Sequence, residues 1–353
     1  MKEPSNAIQL SVIVPCYQVA SYLDRCMKTL TEQTIGIEQM EIILIDDGSD
    51  DDTFEVCKAW EKRFPEQIMI IGLAENQRQG YCRNLGMQKA HGKYVAFVDA
   101  DDWIEADMYE KMIAIAEQTR CDLVECGCSR DKEMTTYGND NPERSTGRQD
   151  RLVCIRSEEE RSRMIAANLL KTYVVTKLYR RSFLEQHEIH FAEHMIYEDV
   201  FFIGLLNISV SKIGFLEQRM YHYFINPNSV SLTRNTQAHY DIVRVNRALF
   251  EEYQKRQIPE GIRKAVEFDL LCTYYLTVMK MLAYRFDKPP MELFQTVQED
   301  IHRMIPDVMD NPYIEQYTTQ VNKAMIKILD QKLSENDLMA VAQVYREYNR
   351  KRK

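Results

Sequence analysis

Phe97-Val98-Asp99-Ala100-Asp101-Asp102-Trp103 is an apolar, strand-like run that ends in three carboxylates within four positions. Clustered carboxylates repel one another, and a strand end that carries three of them calls for a cation. Ligands that are all oxygen suit a hard divalent ion, Mg²⁺ or Mn²⁺. A solvated turn capping a helix near Glu105 would use one aspartate and leave two without a role. Upstream, Ile42-Ile43-Leu44-Ile45-Asp46-Asp47-Gly48-Ser49 forms a second acidic strand end, and Pro15-Cys16-Tyr17 closes a third. Taken alone, Asp46-Asp47-Gly48-Ser49 reads equally as a turn before a helix at Thr53 or as a base-recognition site. Together the three ends point to a nucleotide–metal site.

The surrounding pattern predicts why these ends meet. Short apolar runs at Leu10–Pro15, Glu41–Ile45, Ile68–Gly72, Tyr94–Val98 and Asp122–Gly127 read as strands buried on both faces. Amphipathic stretches near Ala20–Glu32, Thr53–Phe64, Tyr81–Ala90 and Ala106–Thr119 alternate with them. This alternation predicts right-handed βαβ units and a mostly parallel sheet. Ligands in such sheets bind beyond the carboxyl ends of the strands, where Tyr17, Asp46, Asp47, Asp99 and Asp101 fall. No glycine-rich phosphate loop follows the first strand, which argues against a dinucleotide site.

At 353 residues the chain can bury a full core and form two domains. A formal net charge of −9 argues against a nucleic-acid binder. No run has the length of a membrane span, and Met1-Lys2-Glu3-Pro4-Ser5-Asn6 lacks the apolar core of a signal peptide, so a cytoplasmic protein is expected. The nine cysteines then read as free thiols. Cys121, Cys126 and Cys128 lie in a strand pattern without zinc-site spacing.

Residues 130–165 are polar and charged and predict a mobile loop or lid. After Asn235 strand signals vanish and helical periodicity dominates. The expected division is a domain over 1–235 and a helical module over 236–353. Tyr274, Tyr275, Met279, Met281 and Tyr284 read as helical core. The basic end Arg350-Lys351-Arg352-Lys353 reads as a solvated tail or as a contact for anionic lipid at a membrane surface.

Val12-Ile13-Val14-Pro15-Cys16-Tyr17, Ile45-Asp46-Asp47-Gly48-Ser49, Arg83-Asn84-Leu85-Gly86 and Phe97-Val98-Asp99-Ala100-Asp101-Asp102 occur in this order and spacing. Over residues 8–235 the chain thereby resembles the family 2 glycosyltransferases, which are inverting, nucleotide-sugar-dependent enzymes of the GT-A fold. Lys177-Leu178-Tyr179-Arg180 and Glu198-Asp199 resemble the polysaccharide-building branch. The resemblance implies an α/β GT-A domain followed by helices, a UDP-sugar donor, a Mn²⁺ or Mg²⁺ cofactor, and a glycan or lipid-linked saccharide acceptor.

It also implies roles. Pro15, Tyr17, Gly48, Ser49, Asn76 and Ala100 would shape the nucleotide pocket, and Asp47, with Asp46, would accept the uracil N3–H. Arg83 would approach the nucleotide; Asp99 would hold ribose or metal-bound water; Asp101 and Asp102 would hold the cation. Asp199 would be the general base, with Glu198 beside it, although either carboxylate could equally cap the helix Val200–Ile208. Two departures stand out: Arg78 replaces a usual glycine, and Phe224 and Asn226 stand where arginines are common in the family. A diphosphate clamp would then fall to His222 or Arg234, with Lys177 a further candidate for a phosphate or acceptor contact. A catalytically silent sugar-nucleotide-binding scaffold is the rival reading.

Overall fold

The computed structural model describes residues 8–133, 144–226 and 233–350. They divide into two compact units that interleave in sequence. The first comprises Met1–Ile155, Thr172–His194 and Ser209–Asn226; the second comprises Arg156–Lys171, Met195–Ile208 and Pro227–Lys353. The sequence reading placed one boundary at Asn235. The structure instead draws two earlier segments into the helical unit, because their apolar faces are buried there.

In the first unit, β1 (Leu10–Cys16), β2 (Met40–Asp46), β3 (Ile68–Gly72) and β4 (Tyr94–Phe97) pair in parallel in the order β3-β2-β1-β4. β1 and β2 are buried throughout, as their unbroken apolar runs require. The crossovers are α1 (Ala20–Thr31), α2 (Thr53–Arg63) and α3 (Arg78–Lys89). Beyond β4 the sheet becomes mixed. β5 (Trp103–Ile104), α4 (Met108–Thr119) and β6 (Leu123–Asp131) follow, then β7 (Arg151–Cys154). β8 (Lys177–Arg180) lies antiparallel between β4 and β6, and the long β9 (Lys212–Phe224) pairs with β5, β6 and β7.

The polar segment 130–165 is not one open loop. Residues 134–143 lie outside the described residues, but the rest holds β7 and a helix, α5 (Glu158–Ala166). The signal for α5 was present as Ser157-Glu158-Glu159-Glu160, a capping-box pattern. Ser157 Oγ accepts the Glu160 N–H at 3.2 Å, and the Glu160 carboxylate accepts the Arg156 N–H at 2.6 Å. A short helix α6 (Arg181–Gln186) belongs to the first unit.

The second unit holds α5 and α7 (Glu198–Ser209), then α8 (Asp241–Lys255) and α9 (Glu260–Leu270). α9 continues through a wider π-helical turn, Leu271–Leu276, into α10 (Thr277–Tyr284). α11 (Met291–Met304), α12 (Tyr313–Tyr317), α13 (Gln320–Ile328) and α14 (Glu335–Arg350) complete it. α7 is apolar on most of its surface. Gly204 gives α8 a close approach, since a Cβ there would lie 2.7 Å from the Leu249 side chain and the Tyr253 hydroxyl. Tyr274, Tyr275, Met279 and Met281 are buried core, whereas Tyr284 is exposed. Among the described residues no helix is long and apolar enough to cross a membrane. All nine cysteines are free thiols.

Candidate active site

The ends of β1, β2 and β4 carry the site, and its first part is a helix cap. Asp47, just past β2, is buried, and its carboxylate closes the start of α3. Oδ1 accepts the Gln77 N–H at 2.6 Å, and Oδ2 accepts the Arg78 N–H at 2.9 Å. A carboxylate at a helix start satisfies orphaned amides and opposes the helix dipole. Burial pushes the Asp47 carboxyl up, and the two backbone bonds pull it back.

The turns on both sides are tight. Gly48 has φ +68, and a Cβ on it would lie 2.8 Å from the Glu75 backbone. Arg78 adopts φ 75, in the left-handed region that favours glycine. The glycine that the resemblance leads one to expect here would have a backbone reason, and Arg78 is exposed at a strained site.

Ser49, assigned to the nucleotide pocket, braces the backbone together with its neighbours Asp51 and Thr53. Ser49 Oγ accepts the Gln18 N–H at 3.1 Å, Asp51 Oδ2 accepts the Ala20 N–H at 3.3 Å, and Thr53 Oγ1 accepts the Val19 N–H at 2.9 Å. These bonds tie the start of α1 to the loop after β2. Pro15 is covered inside β1, whereas Tyr17 is exposed beside this loop and Asn76 is half-buried. Asp46 is buried, and its Oδ1 has no hydrogen-bond partner among the described residues.

Arg83-Asn84-Leu85-Gly86 acts along α3 as three separate devices. Arg83 is buried, and its Nη2 donates to Asp99 Oδ1 at 2.8 Å and to Gln79 Oε1 at 3.1 Å. Asn84 donates to the Phe191 carbonyl at 3.0 Å and accepts the Phe191 N–H at 2.9 Å, in the manner of a strand partner. Gly86 lets α3 lie against β1, where a Cβ would come within 2.4 Å of Ile13.

The acidic turn follows β4, with Ala100 buried inside it. Asp102 is 1% exposed, and both of its oxygens are used by β9. Oδ2 accepts the Tyr221 hydroxyl at 2.5 Å, and Oδ1 accepts the Phe224 N–H at 2.7 Å. Asp101 Oδ2 accepts the Asn226 amide at 2.9 Å, and its carbonyl accepts Arg25. The Asp99 N–H donates to the Tyr221 hydroxyl at 3.2 Å. Burial, then the charge of Asp99, pushes the Asp101 carboxyl up. Burial, then Asp99 and Asp101, pushes Asp102 well up.

Among the described residues no three His, Cys, Asp or Glu side chains form a ready-made metal cluster. The chemistry of the donor set nonetheless fits a hard cation at Asp99 and Asp101. These are two oxygen donors close enough for the charge of Asp99 to act on Asp101, leaving coordination positions for diphosphate and water.

Three expected contacts are corrected. Asp102 is committed to β9, so the expected three-carboxylate set reduces to Asp99 and Asp101. His222 is fully buried between carboxylates and cannot serve as a diphosphate clamp. Lys177 is fully buried: its Nζ donates to the Tyr173 carbonyl at 2.7 Å and lies 3.5 Å from Glu125. Arg234, in the second unit, pairs with Asp287 at 2.5 Å.

In the second unit Tyr197 has φ 70, a strained value for a bulky side chain, immediately before Glu198 and Asp199. Its hydroxyl donates to His239 Nδ1 at 2.6 Å, because His239 Nε2–H is given to the Thr233 carbonyl at 2.7 Å. Burial lowers the pKa of this imidazole and keeps it neutral. Glu198 is buried, and Asp199 Oδ1 accepts the Val200 N–H at 3.0 Å in the first turn of α7. Both carboxylates thus lie within the first turn of α7 rather than before it.

Comparison with known proteins agrees with this architecture. The family described as glycosyl transferase family 2 matches residues 11–188. The uncharacterized glycosyltransferase YibD of Escherichia coli (strain K12) is 30% identical over 75% of this chain and 76% of its own. The uncharacterized glycosyltransferase EpsJ of Bacillus subtilis (strain 168) is 30% identical over 63% of this chain, which spans only 62% of that relative. Staphylococcus aureus TarS 1-349, solved with UDP-GlcNAc, superposes with a TM-score of 0.73 over 96% of this chain and 92% of its own, at 18% identity. The fold is that of the GT-A glycosyltransferases. The chain belongs to glycosyl transferase family 2.

The strain at Arg78 generates a prediction. Arg78→Gly removes a left-handed non-glycine residue but enlarges the unfolded ensemble, for a net gain of about 1 kcal/mol. The denaturant midpoint should rise. A lower midpoint would show that the Arg78 side chain stabilises the turn.

Proposed function

We propose that the chain transfers a sugar from a UDP-sugar to a hydroxyl of a cell-surface glycan or lipid-linked saccharide, with inversion at the anomeric carbon. The observation that carries this reading is the acidic turn, where Asp99 and Asp101 are anchored from one side by Arg83 and from the other by the end of β9. Asp46, with its unpartnered Oδ1, is better suited than Asp47 to accept the uracil N3–H. Tyr17 offers an exposed ring against which the base would lie. A Mn²⁺ or Mg²⁺ held by Asp101 with Asp99 would neutralise the diphosphate leaving group.

Asp199 takes the acceptor proton as the hydroxyl attacks from the face opposite the diphosphate. The family resemblance supports this role, as does the strained backbone at Tyr197, since such strain concentrates at functional positions. Glu198 orients its neighbour. UDP-GlcNAc is the first donor to try, because TarS was solved with it. The protein acts at the cytoplasmic side, with Arg350-Lys351-Arg352-Lys353 available to anionic lipid; residues 351–353 lie outside the described residues.

Two outcomes follow. Turnover of UDP-sugar should require Mn²⁺ or Mg²⁺ and stop with a chelator, and Asp101→Asn should abolish the metal-dependent part of UDP binding. Full activity in EDTA would refute the metal role, and UDP binding without turnover of any donor would favour the silent scaffold. Asp199→Asn should keep donor affinity and lose about 10²–10⁴-fold in transfer. Wild-type transfer by that variant, with a dead Glu198→Gln, would exchange the two roles.

A further inference from the structure

Behind the acidic turn lies a buried charged cluster that the transfer chemistry does not use. His222 on β9 is opposite Trp103 of β5 and Ser129 of β6 in the sheet register, and it is fully buried. Its Nε2 lies 2.8 Å from Glu105 Oε1. Its Nδ1 lies 2.9 Å from Asp131 Oδ2 and 2.9 Å from Ser129 Oγ. Both carboxylates are largely covered, with side chains 4% and 14% exposed.

The proton count restricts the state of the ring. The Ser129 hydroxyl has one proton and gives it to Asp131 at 2.5 Å, so it cannot also donate to Nδ1. A carboxylate only accepts. A neutral imidazole has one N–H and would leave a lone pair against a lone pair at either Glu105 or Asp131. An imidazolium satisfies both contacts, and the charge of this fully buried ring is met by two carboxylates.

The ring also leads to the acidic turn. It stacks on Trp103, with centroids 5.3 Å apart and planes 6° from parallel. The Arg25 guanidinium sits over Trp103 at 4.4 Å and over Phe224 at 4.6 Å. Arg25 Nη2 donates to the Asp101 carbonyl. The strand that carries His222 also supplies Tyr221 and Phe224 to Asp102, and the chain just beyond it supplies Asn226 to Asp101.

We propose that His222 is held as a doubly protonated imidazolium and is a positioning residue for the cation-binding turn. It fixes Trp103 and the end of β9, and through them the backbone and side chain of Asp101, without touching donor or acceptor. This deepens the reading of Asp99 and Asp101 as the cation site and rests on it.

The test uses the full chain with ¹⁵N-labelled histidine. The His222 ring is assigned by its loss in His222→Gln or, if that variant does not fold, by its displacement in Glu105→Gln. Both ring nitrogens should show the signature of a protonated ring at the pH of the UDP-binding measurement, as the contacts to Glu105 and Asp131 require. A singly protonated tautomer there, with the second proton residing on Glu105 or Asp131, would overturn the charge assignment.

The second readout is calorimetry of UDP with and without Mn²⁺. Glu105→Gln should weaken the Mn²⁺-dependent gain in UDP affinity about tenfold or more, as outer-shell changes do, and leave metal-free UDP affinity unchanged. An unchanged Mn²⁺ gain, or a parallel fall in both affinities, would overturn the positioning role. A wild-type protein that binds no UDP at all would refute the proposed function instead, while the ring signature would still report on the cluster.

Discussion

Asp102 joins the turn after β4 to the end of β9, with one oxygen on the Tyr221 hydroxyl and the other on the Phe224 N–H. Much of the first unit's chemistry depends on this tie. It turns one of three adjacent carboxylates into a buried anchor, and it holds the others where their charges act on each other. β4 and β9 are not neighbours in the sheet, since β8 and β6 lie between them. The acidic turn therefore spans the parallel and mixed halves. A cation at Asp99 and Asp101 would relieve the repulsion that this arrangement builds in.

The same economy recurs around the strand ends, where residues that look like ligands serve as scaffold. Asp47 caps α3, Ser49 and Asp51 brace the start of α1, and Asn84 imitates a strand partner for Phe191. Each arrangement answers a backbone group that would otherwise be orphaned near a buried edge. Among the described residues, what remains for a ligand is small: the Asp46 Oδ1, the exposed Tyr17 ring, and the carboxylates of Asp99 and Asp101, each of which already accepts one hydrogen bond. A site formed this way is held by bonds within the protein, the arrangement that catalysis by positioning and electrostatics would need.

The parallel half of the fold was legible because burial on both faces writes unbroken apolar runs into β1, β2 and β4, and the intervening helices show their period. β9 was not legible. Lys212–Phe224 mixes Glu217, Gln218 and Arg219 into a strand whose partners β5, β6 and β7 all lie far upstream, and no local pattern reports such pairing. That omission explains the errors at the site. Without β9, Asp102 looked like a metal ligand and His222 like a mobile clamp. Lys177 was misjudged for a related reason, since a lysine in a short strand gives no sign that Glu125 faces it across β6. The carboxylates do lie at the strand ends where the apolar runs put them; which of them are structural depends on contacts across the sheet.

The most direct measurement is an anomalous-scattering map from crystals grown with UDP and Mn²⁺. The ion should lie against the Asp101 carboxylate and the diphosphate, with Asp99 beside it, and Asp102 should still be bonded to Tyr221 and Phe224. An ion coordinated by Asp102, with its bonds to β9 broken, would contradict the account.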